Sequence, residues 1–180
     1  EARMSWETER RRYLRISPGR CSLGNDEVNC PMLSPALYEE FVLPYEKRLG
    51  DFYGGIAYWH SCGAITKLLP AIRRSLSIDL LHVSPWTDLP AALAEFKGTG
   101  TRFHVWLHPV EDVLTASVSG MRERMERLIR VLEAHDRPAV SLVSGHIQPF
   151  SRPARDLAQM RRWVATWRSA DYVSSRAETA

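Results

Sequence analysis

The sequence predicts an α/β protein in which parallel strands form one sheet and helices cover it. Five short apolar segments have the pattern of strands, and each is followed by a segment whose apolar residues recur every three or four positions. The strands lie roughly 20–40 residues apart, as in repeated strand–helix units. No strand is followed by the glycine fingerprint of a dinucleotide-binding fold. A doubly wound open sheet and part of a (β/α)8 barrel both fit, and a complete barrel usually needs about 250 residues.

The amino-terminal half contains predicted elements with clear boundaries. Cys21 to Asp26 has the pattern of a short strand with a polar tip. Ser34-Pro35 is a typical helix start, a cap residue followed by proline in the first turn. The helix is predicted to run to about Phe52 with a kink at Pro44, and the pair Gly54-Gly55 ends it.

The same alternation continues through the rest of the chain. The further predicted strands are the segment up to Trp59, Ile78 to Val83, Phe103 to Leu107 and Ala139 to Val143. The further predicted helices are Ala64 to Leu76 with a kink or split at Pro70, Leu89 to Phe96 capped by Asp88, a turn from Glu111 to Ala116, Met121 to His135 capped by Ser119, and Pro153 to Ser169. No linker divides the chain, so a single domain over residues 1–180 is predicted, with residues 1–19 and 171–180 peripheral.

Composition excludes several classes of protein. The chain carries 24 basic and 21 acidic side chains, a net charge of +3, which gives no argument for nucleic-acid binding. The sequence contains no stretch of about 18 apolar residues, so it predicts no membrane span. Three scattered cysteines are typical of free thiols or metal ligands in a reducing compartment, so a cytoplasmic location is expected.

Side chains able to bind a metal or move a proton follow most of the predicted strands. They are Asp26, His60 with Cys62, His82, His108 with Glu111 and Asp112, and His146. In both candidate architectures the carboxyl ends of the strands form one face, and active sites lie there. A lone histidine at such a position is commonly structural, but four of the six histidines lie at predicted strand ends.

His60 and Cys62 are the strongest pair among these residues. Residues two apart in a strand point to the same face, so an imidazole and a thiol would project together at the strand end. A catalytic zinc site has three protein ligands and one open position. These two residues would supply two ligands, and His146 is the best candidate for the third. The alternative interpretation makes Cys62 a small buried apolar residue and His60 a core histidine.

Other combinations are weaker. A nucleophile pair needs His60 and Cys62 to face each other, whereas their spacing is expected to place them side by side. Ser84 and Ser144 lack the strained G-x-S-x-G context of a serine nucleophile. Four aromatic residues could line an apolar pocket or belong to the core: Tyr58, Trp59, Trp86 and Trp106.

Over about residues 20–170 the chain resembles the carboxy-terminal part of the uroporphyrinogen decarboxylase superfamily. The resemblance rests on Leu33-Ser34-Pro35 with Tyr38-Glu39-Glu40-Phe41 and Leu43-Pro44-Tyr45, on His60-Ser61-Cys62-Gly63, on the strand from Ile78 to Ser84, and on Ser144-Gly145-His146-Ile147-Gln148-Pro149. The His-x-Cys-Gly turn after a strand is the most telling part. The superfamily includes the decarboxylase and zinc-dependent methyltransferases that act on methylated corrinoid proteins and thiols.

The resemblance implies a (β/α)8 barrel of which this chain holds the later units. It also implies that His60 and Cys62 bind zinc, which activates a thiol substrate by lowering its pKa. In that branch the third ligand is normally a cysteine in the closing turn, where this chain has His146. His82 lies near the position of an additional ligand in some zinc methyltransferases.

The leading hypothesis is a zinc-dependent methyltransferase that moves a methyl group from a methylated corrinoid protein or a small methylated compound to a thiol. Its predicted metal ligands are His60, Cys62 and His146. Asp26 and His82 are predicted to contact the substrate or to support the ligands. The predicted substrate-binding residues are Trp59, His108 and Glu111.

Two alternatives stay open at this point. The first is a metal-free lyase of the decarboxylase type that holds a carboxylated substrate, with His146 as a substrate contact. The second is a non-catalytic fragment that needs an amino-terminal half-barrel, or association into a homo-oligomer, to cover its open strand edges. Zinc content separates the leading hypothesis from the first alternative.

Overall fold

The computed structural model describes residues 19–144 and 152–169, in which five strands alternate with helices. The strands are β1 (Cys21–Gly24), β2 (Ile56–His60), β3 (Leu80–Val83), β4 (Arg102–Leu107) and β5 (Val140–Ser144). The helical elements are α1 (Pro35–Phe41), α2 (Leu43–Phe52), α3 (Leu69–Ser75), α4 (Leu89–Glu95), a π-helical turn (Pro109–Leu114), α5 (Val118–Glu133) and α6 (Pro153–Arg168).

The strands form one parallel sheet in the order β1-β2-β3-β4-β5, which is also their order along the chain. Gly24 of β1 is paired with His60 of β2, and His82 of β3 is paired with His104 of β4. Parallel neighbours joined through helices confirm the predicted α/β fold and fit part of a (β/α)8 barrel. The carboxyl ends of β1, β2 and β3 therefore lie side by side.

Two prolines begin helices instead of kinking them. The single helix predicted up to Phe52 is two helices that meet at Val42, and Pro44 lies in the first turn of the second. The helix predicted from Ala64 begins only at Leu69, with Pro70 in its first turn. The predictions were wrong in the same way, because proline lacks an N–H and fits the first turn, where no intrahelical donor is needed.

Helix caps were predicted correctly in two of three cases. The side chains of Ser34 and Asp88 accept hydrogen bonds from the backbone N–H groups of Leu37 and Ala91, as expected of cap residues. The cap predicted at Ser119 is wrong, because Ser117 caps α5 and the helix begins at Val118.

The described residues up to Val105, together with Ala139–Ser141, form one compact unit. Its core contains β2 and β3, since Ile56 to Trp59 and all of β3 are buried. Among its buried residues is His82, which is fully inaccessible to solvent. A buried imidazole needs polar partners, and those partners belong to the candidate site described below.

A second compact unit comprises Trp106–Pro138 and the described residues from Leu142 onward. Its apolar core is built on the π-helical turn, α5 and α6. The buried members are Leu107, Val113, Met121, Met125 and Trp163. The prediction of a single domain over the whole chain stays a prediction.

Among the described residues, no helix is both long enough and apolar enough to cross a membrane.

Candidate metal centre

Three side chains converge at the carboxyl ends of β1 and β2. Nε2 of His60 lies 3.1 Å from Oδ1 of Asp26 and 3.2 Å from Sγ of Cys62. One potential ligand atom from each residue lies within 4.8 Å of the other two. The His60 side chain is 13% exposed and the Asp26 side chain 67% exposed. An imidazole, a thiol and a carboxylate thus meet at one point, which is open to solvent on the carboxylate side.

Pairing between β1 and β2 brings Asp26 to His60. The ladder reaches Gly24, opposite His60, and continues through the Asn25 N–H, which donates to the His60 carbonyl over 2.9 Å. The chain then turns, and the Asn29 side chain donates to the Asp26 carbonyl over 2.8 Å. Asp26 therefore occupies a turn at the strand tip that is fixed by the backbone on one side and by an amide on the other.

The turn that carries Cys62 is held from both neighbouring strand ends. On the β1 side, the Ser61 hydroxyl donates to the Val28 carbonyl over 2.8 Å. On the β3 side, Nδ1 of His82 donates to the Ser61 carbonyl over 2.6 Å, since a carbonyl can only accept. The residue before Cys62 is anchored twice, so the thiol has a defined position.

Gly63 completes this turn and tolerates no side chain. Its carbonyl accepts hydrogen bonds from the Ser84 hydroxyl at 2.6 Å and the Thr87 hydroxyl at 3.3 Å. A Cβ atom at Gly63 would lie only 2.3 Å from Cβ of Asn29, whose amide holds the Asp26 turn. Glycine at this position therefore allows the Asp26 loop and the Cys62 loop to approach each other.

A tyrosine and a second histidine stand behind His60. The Tyr58 hydroxyl lies 3.2 Å from Nδ1 of His60 and 2.9 Å from Nδ1 of His104. Metal-binding histidines commonly bond a second group through the other ring nitrogen, which fixes the ring. Sequence reasoning missed His104. A signal was available in the sequence. Side chains alternate between the two faces of a strand, so His104 lies on the same face of the predicted fourth strand as Trp106.

His82 packs directly on His60. Their ring centroids lie 4.2 Å apart with an interplanar angle of 21°, a stacked arrangement. His82 is fully buried. In this geometry it supports the His60 ring and the Ser61 carbonyl and does not face solvent.

The Cys62 thiol is not an activated nucleophile in the metal-free protein. Burial raises the pKa of Cys62 to about 11, and the adjacent Asp26 adds to this rise through a hydrogen bond and through its charge. The thiol is therefore protonated at neutral pH. The expectation that His60 and Cys62 would not face each other was wrong, because β2 ends at His60 and the following turn brings the two side chains into contact.

The cluster has the dimensions of a small metal site. Bonds of about 2.0–2.3 Å at tetrahedral angles place ligand atoms roughly 3.3–3.7 Å apart. The two separations from Nε2 of His60, 3.1 and 3.2 Å, are slightly shorter than this range, so small side-chain movements would admit an ion. Nitrogen, sulfur and oxygen together form a donor set that suits zinc, and a nearby cation would favour the thiolate. The residues present therefore fit a zinc ion, with room for a fourth ligand on the exposed side.

Trp59 lies on the opposite face of β2 from His60. It is fully buried, and its indole N–H donates to Oε2 of Glu46 over 3.0 Å. This placement favours the interpretation of Trp59 as a core residue over that of a substrate contact.

His108 and Glu111 belong to the second unit, at the π-helical turn. His108 caps this turn, because its Nδ1 accepts from the Glu111 N–H over 3.2 Å. Asp112 is buried, accepts from the His108 N–H over 2.8 Å and pairs with Arg124 at 2.6 Å. Asp112 therefore caps the π-helical turn and is covered by an ion pair. His146, the predicted third ligand, lies outside the described residues.

Fold and site together define an α/β protein with a parallel sheet and a candidate metal centre at the carboxyl ends of its strands. Residues 21–167 match the family described as uroporphyrinogen decarboxylase (URO-D). This match covers most of the chain, which therefore belongs to the URO-D family. Comparison with curated proteins and with solved structures found no match.

Proposed function

We propose that this chain is a zinc-dependent methyltransferase of the URO-D superfamily that transfers a methyl group to a thiol. The observation that carries the proposal is the convergence of Asp26, His60 and Cys62 on one point at the strand ends. These three residues are the proposed ligands. His146 is retained from the sequence as a further ligand, contributed from outside the described residues.

Two of the proposed ligands, His60 and Cys62, have surroundings that suit them to bind a metal. His60 would bind through Nε2, which directs its remaining proton at Nδ1 towards the Tyr58 hydroxyl. Tyr58 can then donate to Nδ1 of His104, so the ring orientation is fixed over three residues. Cys62 would bind as the thiolate, because a divalent cation offsets the burial and the Asp26 charge that keep the thiol protonated.

The chemistry follows from a thiol substrate at the open position. Bound zinc would lower the pKa of that thiol, so that thiolate exists at neutral pH. The substrate sulfur attacks the methyl carbon and a sulfur–carbon bond forms. The bond between the methyl group and its donor breaks, the donor keeps the electron pair, and the thiol proton leaves to water. The proposed donor is a methylated corrinoid on a partner protein or a small methylated compound, and the proposed setting is the cytoplasm.

The first test is the zinc content of protein purified without chelator. We expect about one zinc per chain in the wild type and almost none in Cys62→Ala, because the variant lacks one of the proposed ligands. Cys21→Ala is the matched control, since it removes a thiol that lies in β1 outside the cluster. Zinc-loaded protein is then assayed for methylation of small thiols.

Absence of zinc from folded wild-type protein would contradict the methyltransferase proposal. Equal zinc in wild type and Cys62→Ala would also contradict it, because the metal would then be bound elsewhere.

A second candidate function is a metal-free decarboxylation, which the description of the matching family favours. It predicts a folded protein without zinc that releases carbon dioxide from a carboxylated substrate. Zinc content and carbon dioxide release therefore decide between the two candidates.

A further inference from the structure

Glu46 is a carboxylate enclosed in the first unit on the helix side of β1 and β2. It lies in α2 and is only 4% exposed. Its Oε2 accepts hydrogen bonds from the Tyr38 hydroxyl at 2.7 Å and from the Trp59 indole at 3.0 Å. Its Oε1 accepts from the side-chain amide of Asn25. Three donors, from α1, from β2 and from the turn after β1, thus meet on one side chain.

Two of these donors are the immediate chain neighbours of proposed metal ligands. Asn25 precedes Asp26, and Trp59 precedes His60. Trp59 is fully buried, so its position is set by the core. A rigid carboxylate that binds Trp59 through one oxygen and Asn25 through the other fixes the tip of β1 against β2.

We infer that Glu46 is a positioning residue that sets the distance between Asp26 and His60. The expected effect on zinc affinity rests on the proposed function. The expected effect on the contact between the ends of β1 and β2 does not depend on it. Glu46 touches neither ligand and acts through Asn25 and Trp59.

An apolar side chain of similar size would fill the same space without the free-energy cost of burying a carboxylate. Burial raises the pKa of Glu46 despite the three donors, so the hydrogen bonds do not fully offset the desolvation of the carboxylate. Tyr38 is buried beside this carboxylate. Burial and the Glu46 charge raise the pKa of Tyr38, so its hydroxyl stays neutral and can donate a hydrogen bond. The role of Glu46 in holding the Asp26 turn against β2 explains why a carboxylate is buried here.

The test compares Glu46→Ala with Glu46→Gln and with Leu93→Ala. Gln keeps an acceptor for Trp59, and the Asn25 amide can rotate to accept from the new NH2 group. Leu93 is buried in α4, a different helix from the one that carries Glu46, and its truncation provides a variant that is destabilised without loss of the carboxylate.

The first readout is amide hydrogen exchange in metal-free protein. The Asn25 N–H bonds the His60 carbonyl, and the Arg102 N–H bonds the Asp79 carbonyl at the amino ends of β3 and β4. We expect the ratio of their exchange rates to rise at least about tenfold in Glu46→Ala, because only the β1 tip is released. Glu46→Gln and Leu93→Ala should leave the ratio near the wild-type value.

The second readout is zinc affinity, measured by competition with a chromophoric chelator. We expect Glu46→Ala to lose about 10–100-fold, the range for residues that orient metal ligands, and Glu46→Gln to recover most of the loss. Leu93→Ala should bind zinc like the wild type.

An unchanged exchange ratio in Glu46→Ala would overturn the inference, as would unchanged zinc affinity or an equal loss in Leu93→Ala. Wild-type protein that binds no zinc would overturn the proposed function. The exchange ratio would still decide whether Glu46 fixes the strand ends, so the two failures are distinguishable.

Discussion

The carboxyl ends of β2 and β4 each carry a histidine, His60 as the last residue of β2 and His108 directly after β4, yet the two side chains bond differently. After β4, His108 accepts from a backbone N–H three residues later and Asp112 accepts from the His108 N–H. At the end of β2, His60 is surrounded by side chains from other parts of the chain, among them Asp26, 34 positions earlier in the sequence. Polar residues at a strand end thus serve local capping in one case and long-range convergence in the other.

The largest difference should appear in metal binding. His60→Ala is expected to weaken zinc binding by more than about 100-fold, beyond the range for outer residues, because it removes a proposed ligand. His108→Ala should bind zinc like the wild type, and the loss of its helix cap should cost about 1 kcal/mol of unfolding free energy. Chelator competition and urea unfolding on both variants measure the contrast. Equal zinc loss in the two variants would remove the distinction between the two strand ends.

The next effect concerns stability in the second unit. Asp112→Ala should lower the unfolding free energy by about 1–3 kcal/mol, because a buried carboxylate, a cap and an ion pair with Arg124 are lost together. Asp26→Ala, which removes an exposed carboxylate, should cost far less stability but should weaken zinc binding. Urea unfolding monitored by tryptophan fluorescence provides the comparison, and a stability loss at Asp26 as large as at Asp112 would contradict it.

The close approach of the Asp26 loop to the Cys62 loop can be tested by adding one methyl group at Gly63. Gly63→Ala is expected to cost about 1–3 kcal/mol, since its Cβ would meet the Asn29 side chain at 2.3 Å. Gly24→Ala is the matched control, because a Cβ there meets nothing within 4 Å. Thermal or urea unfolding of both variants decides, and equal stability of the two would show that the loops are not in contact.

The smallest effect is a dependence of stability on pH. Burial raises the folded-state pKa of Glu46 above its ordinary value of 4.5. A raised pKa stabilises the fold fully below the unfolded value and less as pH rises through the folded value. The unfolding free energy of wild type relative to Glu46→Gln should therefore fall as pH increases from below 4.5. Urea unfolding at a series of pH values measures this, and a difference that grows with pH contradicts the assignment.

Local sequence signals predicted most of the fold. The five strands, the caps at Ser34 and Asp88, and the projection of His60 and Cys62 from one strand end depend on residues close together in the chain. Hydrophobic periodicity, glycine and cap chemistry act over that range, so a single sequence carries them.

Only tertiary structure decided which polar residues meet. Asp26, predicted as a substrate contact or support, lies beside His60 and Cys62, while His104 joins Tyr58 behind them and Glu46 binds donors from α1, from β2 and from the turn after β1. These contacts depend on which strands pair and on where the turns at their ends meet, which local sequence signals do not specify. A polar side chain at a strand end has the same local sequence signals whether it caps a turn or meets other side chains at a site. Which of the two occurs is determined by how the strands pack together.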